Sequence, residues 1–277
     1  MGKDFINECS SLEELLARVE LRDELQYSLE RIFELINIQL RSFKRYVQVG
    51  KNDKLNSFPK IFYSTSELKL NDSFYGLLIE EYINGNTLES ADTKSYGLKD
   101  IIDFLHQMGY LIKELSESGI VHRDISPDNI MVLNGTYILI DPGVVKIQDD
   151  FPTEKSHYIF GKKIYVSPEQ YMGYAKFADF SSDLYSVGII AMEMGLKYNP
   201  IQRILEVENA VINPHQYLSN NLDRKIEDEF VEKLGETNST YQLYSVLKKL
   251  LQVEKKFRFD SPDAFIRYIN IINERFE

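Results

Sequence analysis

Leucine, isoleucine and valine recur at helical spacing along much of the chain, and the places where that period fails mark the strands. Leu12, Leu15, Leu16 and Val19 repeat every three or four positions, while Ser10 and Ser11 each have a glutamate three residues on (Glu13, Glu14). That capping-box spacing predicts a short helix over 10–20. A second stripe, Leu25, Leu29, Ile32, Phe33, Ile36, Leu40 and Phe43, predicts a longer helix that stops before the polar Gly50-Lys51-Asn52-Asp53. Two β-rich runs then read as strands, Lys60–Ser64 and Phe74–Tyr82, joined across Leu70-Asn71-Asp72-Ser73. Residues 83–96 carry turn formers and predict a connector. Leu98, Ile101, Ile102, Leu105, Met108, Ile112 and Leu115 predict a strong helix from about Leu98 to Ser118. Short strands follow at Ile130–Val132 and Tyr137–Ile140, and from Ser167 onward the pattern is mostly helical. The expected architecture is α+β: a small mixed lobe over 1–82, a hinge and connector over 83–96, and a larger helical lobe over 97–277.

Composition narrows the classes of partner. At 277 residues, 43% hydrophobic and 27% charged, the chain is long enough for two lobes sharing a cleft and buries a real core. Its 32 Lys and Arg against 43 Asp and Glu leave a net charge of −11, which argues against a nucleic-acid partner and against an anionic membrane surface. Cys9 is the single cysteine, so no internal disulfide forms, and a reducing compartment is expected. The first residues lack the uninterrupted apolar stretch of a signal peptide, and the longest apolar run, near Val187–Met192, is far short of a membrane span. A soluble cytoplasmic protein is the expectation.

The chemistry concentrates in His122-Arg123-Asp124-Ile125-Ser126-Pro127-Asp128-Asn129, followed by Asp141-Pro142-Gly143. Asp124 and Asn129 fall in a loop between helix and strand, and Asp141 ends a strand 17 residues after Asp124. Two carboxylates and a carboxamide at one loop suit phosphoryl transfer. One carboxylate orients a hydroxyl and accepts its proton; the other, with the amide, holds a divalent metal that neutralises phosphate charge.

This spacing resembles the eukaryotic-type serine/threonine protein kinase family, whose catalytic loop reads H-R-D-L-x-x-x-N and whose metal motif reads D-F-G. Gly161–Gln170 (GKKIYVSPEQ) is similar to the segment that closes the family's activation loop. Ser182–Gly188 (SDLYSVG) is similar to the start of its large buried helix, and Arg258 to the late arginine that pairs with a glutamate, here Glu169. Leu77–Glu89 (LLIEEYINGNTLE) is similar to the hinge that holds the adenine, with Glu80 and Tyr82 as its nucleotide-holding positions. The resemblance implies a bilobal kinase-like fold with ATP and a protein substrate as partners, and Mg²⁺ as metal with Mn²⁺ as an alternative. It implies Asp124 as base, Asn129 and Asp141 as metal ligands, and His122 and Asp183 as braces of the loop backbone. It also implies that Arg123 meets a phosphorylated activation loop, for which Thr153, Ser156 and Tyr158 are the candidates.

Three departures bear on activity. Neither G-x-G-x-x-G nor a V-A-I-K strand precedes the hinge. KDFIN is only faintly similar to the lysine-bearing strand, with Lys3 near the terminus, and Glu24, Glu30 and Glu34 are equal candidates for its partner. Pro142 replaces the phenylalanine of D-F-G, which fixes φ and removes a donor. Finally, Ser126 stands where the family has a lysine and Lys162 where it has a threonine, as though the two groups had changed places around Asp124. On that reading Lys162 supplies the phosphate-facing charge and Ser126 the hydroxyl hydrogen bond; the alternative is a tolerated serine and a solvated lysine. At the level of function, the expectation is transfer of the ATP γ-phosphoryl group to Ser/Thr hydroxyls. The alternatives are a pseudokinase scaffold and a small-molecule kinase of the aminoglycoside or choline type.

Overall fold

The computed structural model describes residues 43–44, 47–52, 55, 58–70, 73–91, 93–141, 146–147, 161–207, 213–223 and 225–274. The helix expected over 10–20, nearly all of the stripe ending at Phe43, and Lys3, Cys9, Glu24, Glu30 and Glu34 lie outside them. So do Pro142, Gly143, Thr153, Ser156 and Tyr158.

The strand-like runs after residue 60 form an antiparallel pair, β1 (Ile61–Leu70) with β2 (Ser73–Glu80), Ile61 opposite Glu80 and Leu70 opposite Ser73. β1 runs six residues beyond the apolar stretch that predicts it, because pairing with β2 satisfies the backbone of the more polar half. Register shifts between Ile61 and Tyr63 and between Thr65 and Leu68 mark bulges in the ladder. Within the expected connector lies a two-residue strand, β3 (Asn86–Thr87), which joins β5 (Ile130–Leu133) and β6 (Thr136–Leu139) in the order β3-β5-β6. A third ladder pairs β4 (Ile120–Val121) with β7 (Lys146–Ile147).

Helix α1 (Leu98–Glu117) follows its pattern closely, burying Ile101, Ile102, Leu105, Met108, Ile112 and Leu115. Asp100 accepts the Gly97 N–H at 2.7 Å and closes its first turn. Each fully buried aliphatic side chain contributes about 1.5–3 kcal/mol. Surface pairs such as Lys99–Asp103 add only about 0.3–0.5 kcal/mol. The inward stripe therefore places α1, packed on α3 (Phe180–Leu196) and α8 (Pro262–Asn273). At Gly109 a β-carbon would stand 2.9 Å from the Phe265 ring, so glycine sets how closely α1 and α8 approach.

Helix α3 is the centre of the larger lobe. Every residue in it except Phe180 and Glu193 is buried, as expected of a helix apolar on most faces. It starts at Phe180, earlier than the SDLYSVG resemblance indicates, because Asp179 caps it. Asp179 Oδ1 accepts the Ser181 N–H at 2.9 Å, and Ser182 Oγ accepts the Asp179 N–H at 3.1 Å. Around it stand α2 (Pro168–Tyr171), α4 (Pro200–Val207), α5 (Pro214–Asn221), α6 (Lys225–Leu234) and α7 (Asn238–Leu250). Val49, Leu55 and Phe58 join the same core, and Phe58 stacks on His122 with ring centroids 6.0 Å apart. Among the described residues no helix is long and apolar enough to cross a membrane.

Glu169 and Arg258 meet as a two-pronged pair. Arg258 Nη1 donates to Oε1 at 3.0 Å and Nη2 to Oε2 at 2.8 Å, with the arginine side chain 1% exposed. The remaining guanidinium N–H groups reach the carbonyls of Gln252, Val253 and Ser181, and Ser182 Oγ donates to Glu169 at 2.5 Å. Burial pushes the Glu169 carboxyl up, and the Arg258 and Ser182 partners offset that cost, holding Glu169 below its ordinary carboxyl range. Arg258→Met leaves Glu169 buried and unpaired, so a loss of about 3–5 kcal/mol is expected in urea unfolding. Adding Glu169→Gln should restore part of it by removing the orphaned charge.

His215 is the second test of this core. Its Nδ1 lies 2.8 Å from the Tyr185 hydroxyl, its Nε2 is buried without a partner, and burial lowers its pKa to about 4. The unfolded chain therefore binds a proton that the folded ring refuses, and His215 costs stability as the pH falls from 6.5 toward 4. The stability of the wild type relative to His215→Gln should shrink across that window and stay level above it. A difference independent of pH in parallel urea titrations would contradict this.

Candidate active site

The loop 122–129 leaves β4 on an unusual backbone path. Arg123 has φ 67°, the left-handed region that costs a non-glycine residue of order 1 kcal/mol or more. Two neighbours hold it there. Asp183, in the first turn of α3, accepts the N–H groups of His122 and Arg123, each at 2.8 Å. On the other side, Gln170 Nε2 of α2 donates to the Arg123 carbonyl at 2.7 Å. Burial pushes the Asp183 carboxyl up to about 7, while the two N–H groups and the Arg123 charge pull it back toward the ionised form. The bracing expected of Asp183 is thus observed directly. His122 contributes from inside the loop, its Nδ1 accepting the Asp124 N–H at 3.3 Å.

The path places Asp124 among donors. Its Oδ1 accepts the Lys162 backbone N–H at 3.2 Å, and its Oδ2 accepts Asn129 Nδ2 at 3.2 Å. Asn129 Nδ2 also reaches the Asp124 carbonyl at 3.0 Å. Burial pushes the Asp124 carboxyl up to about 6, reinforced by the charges of Asp128 and Asp141 and opposed by the Lys162 and Asn129 donors. A carboxylate so raised is a better proton acceptor near neutral pH than an ordinary aspartate. Gly161 lets Lys162 come this close. It sits at φ 94°, and a β-carbon there would lie 2.8 Å from the Arg123 carbonyl oxygen and 3.1 Å from Asp124 Oδ1.

Asn129 and Asp141 are brought together by a hairpin. β5 and β6 pair Ile130 with Leu139 and turn at Asn134-Gly135, both with positive φ (51° and 78°), as a two-residue connection of matching twist requires. At the open end the Asn129 carbonyl accepts the Ile140 N–H at 2.9 Å. Asp141 comes next, exposed and at φ 54°. The Asn129 amide nitrogen is spent on Asp124, which leaves Oδ1 for a cation. One carboxylate and one amide oxygen suit a hard divalent ion that completes its shell with phosphate and water oxygens. Among the described residues no three His, Cys, Asp or Glu side chains are grouped to hold a metal by themselves.

Ser126 and Lys162 converge on a residue the sequence reading passed over. Ser126 is fully buried, and its Oγ donates to Asp128 Oδ1 at 2.7 Å rather than to Asp124. Lys162 Nζ meets the same Asp128 oxygen at 2.8 Å and Glu89 Oε1 at 3.7 Å. The expected hydroxyl bond at Asp124 is replaced by the Lys162 backbone N–H, because the short serine side chain on this turn reaches the nearer carboxylate two residues on. Lys162 is not merely solvated. At 43% and 31% side-chain exposure its pair with Asp128 is worth at most about 1 kcal/mol, so it orients the ammonium without locking it.

Glu80 and Tyr82 lie on the strand-to-connector path, Glu80 closing β2 and Tyr82 84% exposed just beyond it. That path is stitched to the loop by the Leu88 N–H on the Ile130 carbonyl at 2.7 Å and the Glu89 N–H on the Pro127 carbonyl at 3.0 Å. Besides Asp128, the residues missed from sequence are Gln170 and Glu89. Gln170 had one usable signal, its place directly after Glu169 in SPEQ.

Residues 49–266, more than half of the chain, match the family model described as "Protein kinase domain". Among curated proteins, the serine/threonine-protein kinase PknA of Mycobacterium tuberculosis is 33% identical over 119 residues, covering 42% of this chain and 27% of that protein. A probable serine/threonine-protein kinase of Clostridium acetobutylicum is 32% identical over 155 residues, 52% of this chain and 23% of its own. PknA of Corynebacterium glutamicum is 28% identical over 142 residues, 50% and 30% respectively. The chain spans less than a third of the length of each of these relatives. The braced loop around Asp124, the buried Glu169–Arg258 pair and the family match agree, and the chain belongs to the protein kinase family.

Proposed function

We propose that this chain is a catalytically active serine/threonine protein kinase that uses ATP and Mg²⁺. The observation that carries the reading is the grouping of Asp124, Asn129 and Asp141, with the Asn129 side chain bonded to Asp124 and its carbonyl bonded to the residue before Asp141. A fold serving only as a scaffold has no physical use for a raised, donor-ringed aspartate beside an amide oxygen and a second carboxylate.

In this reading Asp124 receives the hydroxyl of a substrate serine or threonine and takes its proton as the oxygen bonds to the γ-phosphorus. The bond from that phosphorus to the bridging oxygen breaks, and ADP leaves with the electron pair. Asn129 Oδ1 and the Asp141 carboxylate would hold the divalent ion, which supplies charge neutralisation on the phosphates when bound. Asn129 also keeps the Asp124 carboxylate turned toward the acceptor. Lys162 contributes positive charge near the transferred group, and Ser126 acts at one remove through Asp128. Glu80 and Tyr82 would hold the nucleotide at the connector. A single cysteine and a need for ATP fit the cytoplasm as the place of action.

Purified chain incubated with radiolabelled ATP, Mg²⁺ or Mn²⁺ and a generic protein substrate should transfer phosphate to serine or threonine. Asp124→Asn should lower kcat by about 10²–10⁴-fold, and Asp141→Asn should abolish metal-dependent transfer. Absence of transfer together with absence of metal-dependent nucleotide binding would favour a binding module instead.

A further inference from the structure

The turn that carries Asn129 also carries a carboxylate with two partners on one oxygen. Asp128 Oδ1 accepts Ser126 Oγ at 2.7 Å and meets Lys162 Nζ at 2.8 Å. Its backbone position is well defined. Pro127 precedes it in the 3-10 turn Pro127–Asn129 and restricts φ, and Asn129 after it is bonded to Asp124. Asp128 therefore stands at a set distance from the candidate base, whereas Lys162 brings a flexible four-carbon stem from another segment.

Both ends of Lys162 are held in this arrangement, its N–H on Asp124 Oδ1 at 3.2 Å and its ammonium on Asp128. Glu89, at 3.7 Å, is too far to hold the ammonium by a hydrogen bond. The loop has no cation of its own two residues after Asp124, since Ser126 is neutral and buried. Phosphoryl transfer gains from positive charge held ready where negative charge accumulates. A partly exposed ion pair suits that role because a phosphate oxygen, carrying more charge, can draw the ammonium away from one carboxylate.

We propose that Asp128 is a positioning residue, which holds the Lys162 ammonium beside Asp124 so that the segment after Gly161 delivers the cation that the loop lacks two residues after Asp124. Ser126 serves the same end by fixing the Asp128 rotamer. The inference rests on the kinase reading above and adds a coupling between two residues that this reading alone does not require.

The test is a double-mutant cycle on the full chain with Asp128→Asn, Lys162→Met and the pair combined, plus Lys162→Arg. kcat and the KM values for ATP and for protein substrate are measured for each, with thermal midpoints to confirm folding. Lys162→Met should lower kcat about 30-fold with the ATP KM within about threefold, and Lys162→Arg should recover most of that loss. Asp128→Asn should lower kcat about tenfold in the wild type but less than about twofold when Lys162 is already Met. Equal losses in the two backgrounds would overturn the proposal, as would Lys162→Met with kcat within about twofold of wild type. A change confined to the KM for protein substrate would also overturn it, making Asp128 an acceptor contact. Absence of transfer by the wild type would refute the kinase reading itself, and this role with it, before any variant is compared.

Discussion

A buried carboxylate holding two adjacent backbone N–H groups underlies the whole site. Asp183 grips His122 and Arg123, and without it two buried donors would be left unsatisfied at about 1–3 kcal/mol each. The same grip stabilises the left-handed turn at Arg123, which aims the Arg123 carbonyl at Gln170 and the following side chain, Asp124, at Asn129 and Lys162. Asp183 is positioned in turn by Asp179, which caps α3 and sets where its first turn falls. Burial disfavours its charge, and the N-terminal end of α3, together with the two N–H donors, favours it.

From that grip the structure runs outward through one continuous set of contacts. Gln170, which holds the Arg123 carbonyl, adjoins Glu169, and Glu169 is bound by Arg258 and Ser182. The short helix α2 therefore ties the loop to the far end of the chain. The segment just before α2, from Gly161 to Ser167, is held between these anchors and the Asp124 carboxylate, which is why Lys162 meets the loop at both its backbone and its side chain. Structural and chemical roles alternate along this path. Buried, well-partnered charges hold it in place, and the partly exposed Lys162–Asp128 pair stands at its end.

Three carboxylates gather at the site. Asp124, Asp128 and Asp141 lie close enough that the latter two raise the first, while Lys162 gives its backbone N–H to Asp124 and its ammonium to Asp128. Against the upward push of burial, Lys162 and Ser126 hold Asp128 below its ordinary carboxyl range, whereas burial and the neighbouring carboxylates push Asp124 up. The hairpin β5–β6 sets the spacing of Asn129 and Asp141 through its register and its Asn-Gly turn, so the distance between the metal candidates is a backbone property rather than a side-chain accident.

Much of this was legible in the chain. The inward stripe of α1 and the two strand pairs follow from period, because local backbone geometry imposes those periods directly, whereas the loop motif's distant partners Asp183, Glu169 and Arg258 were legible only through the resemblance to the protein kinase family. Tertiary structure decided what spacing leaves open. β1 extends past its apolar run because a partner strand accepts it, and α3 begins at Phe180 because Asp179 and Ser182 close its cap. The largest difference is at Ser126 and Lys162. Their residue types suggest an exchange around Asp124, yet which carboxylate each meets depends on where two segments 36 residues apart come together. Periodicity records which face a residue presents to its own helix or strand, whereas hydrogen bonding between loops depends on ångström-scale placement that only the packed core supplies.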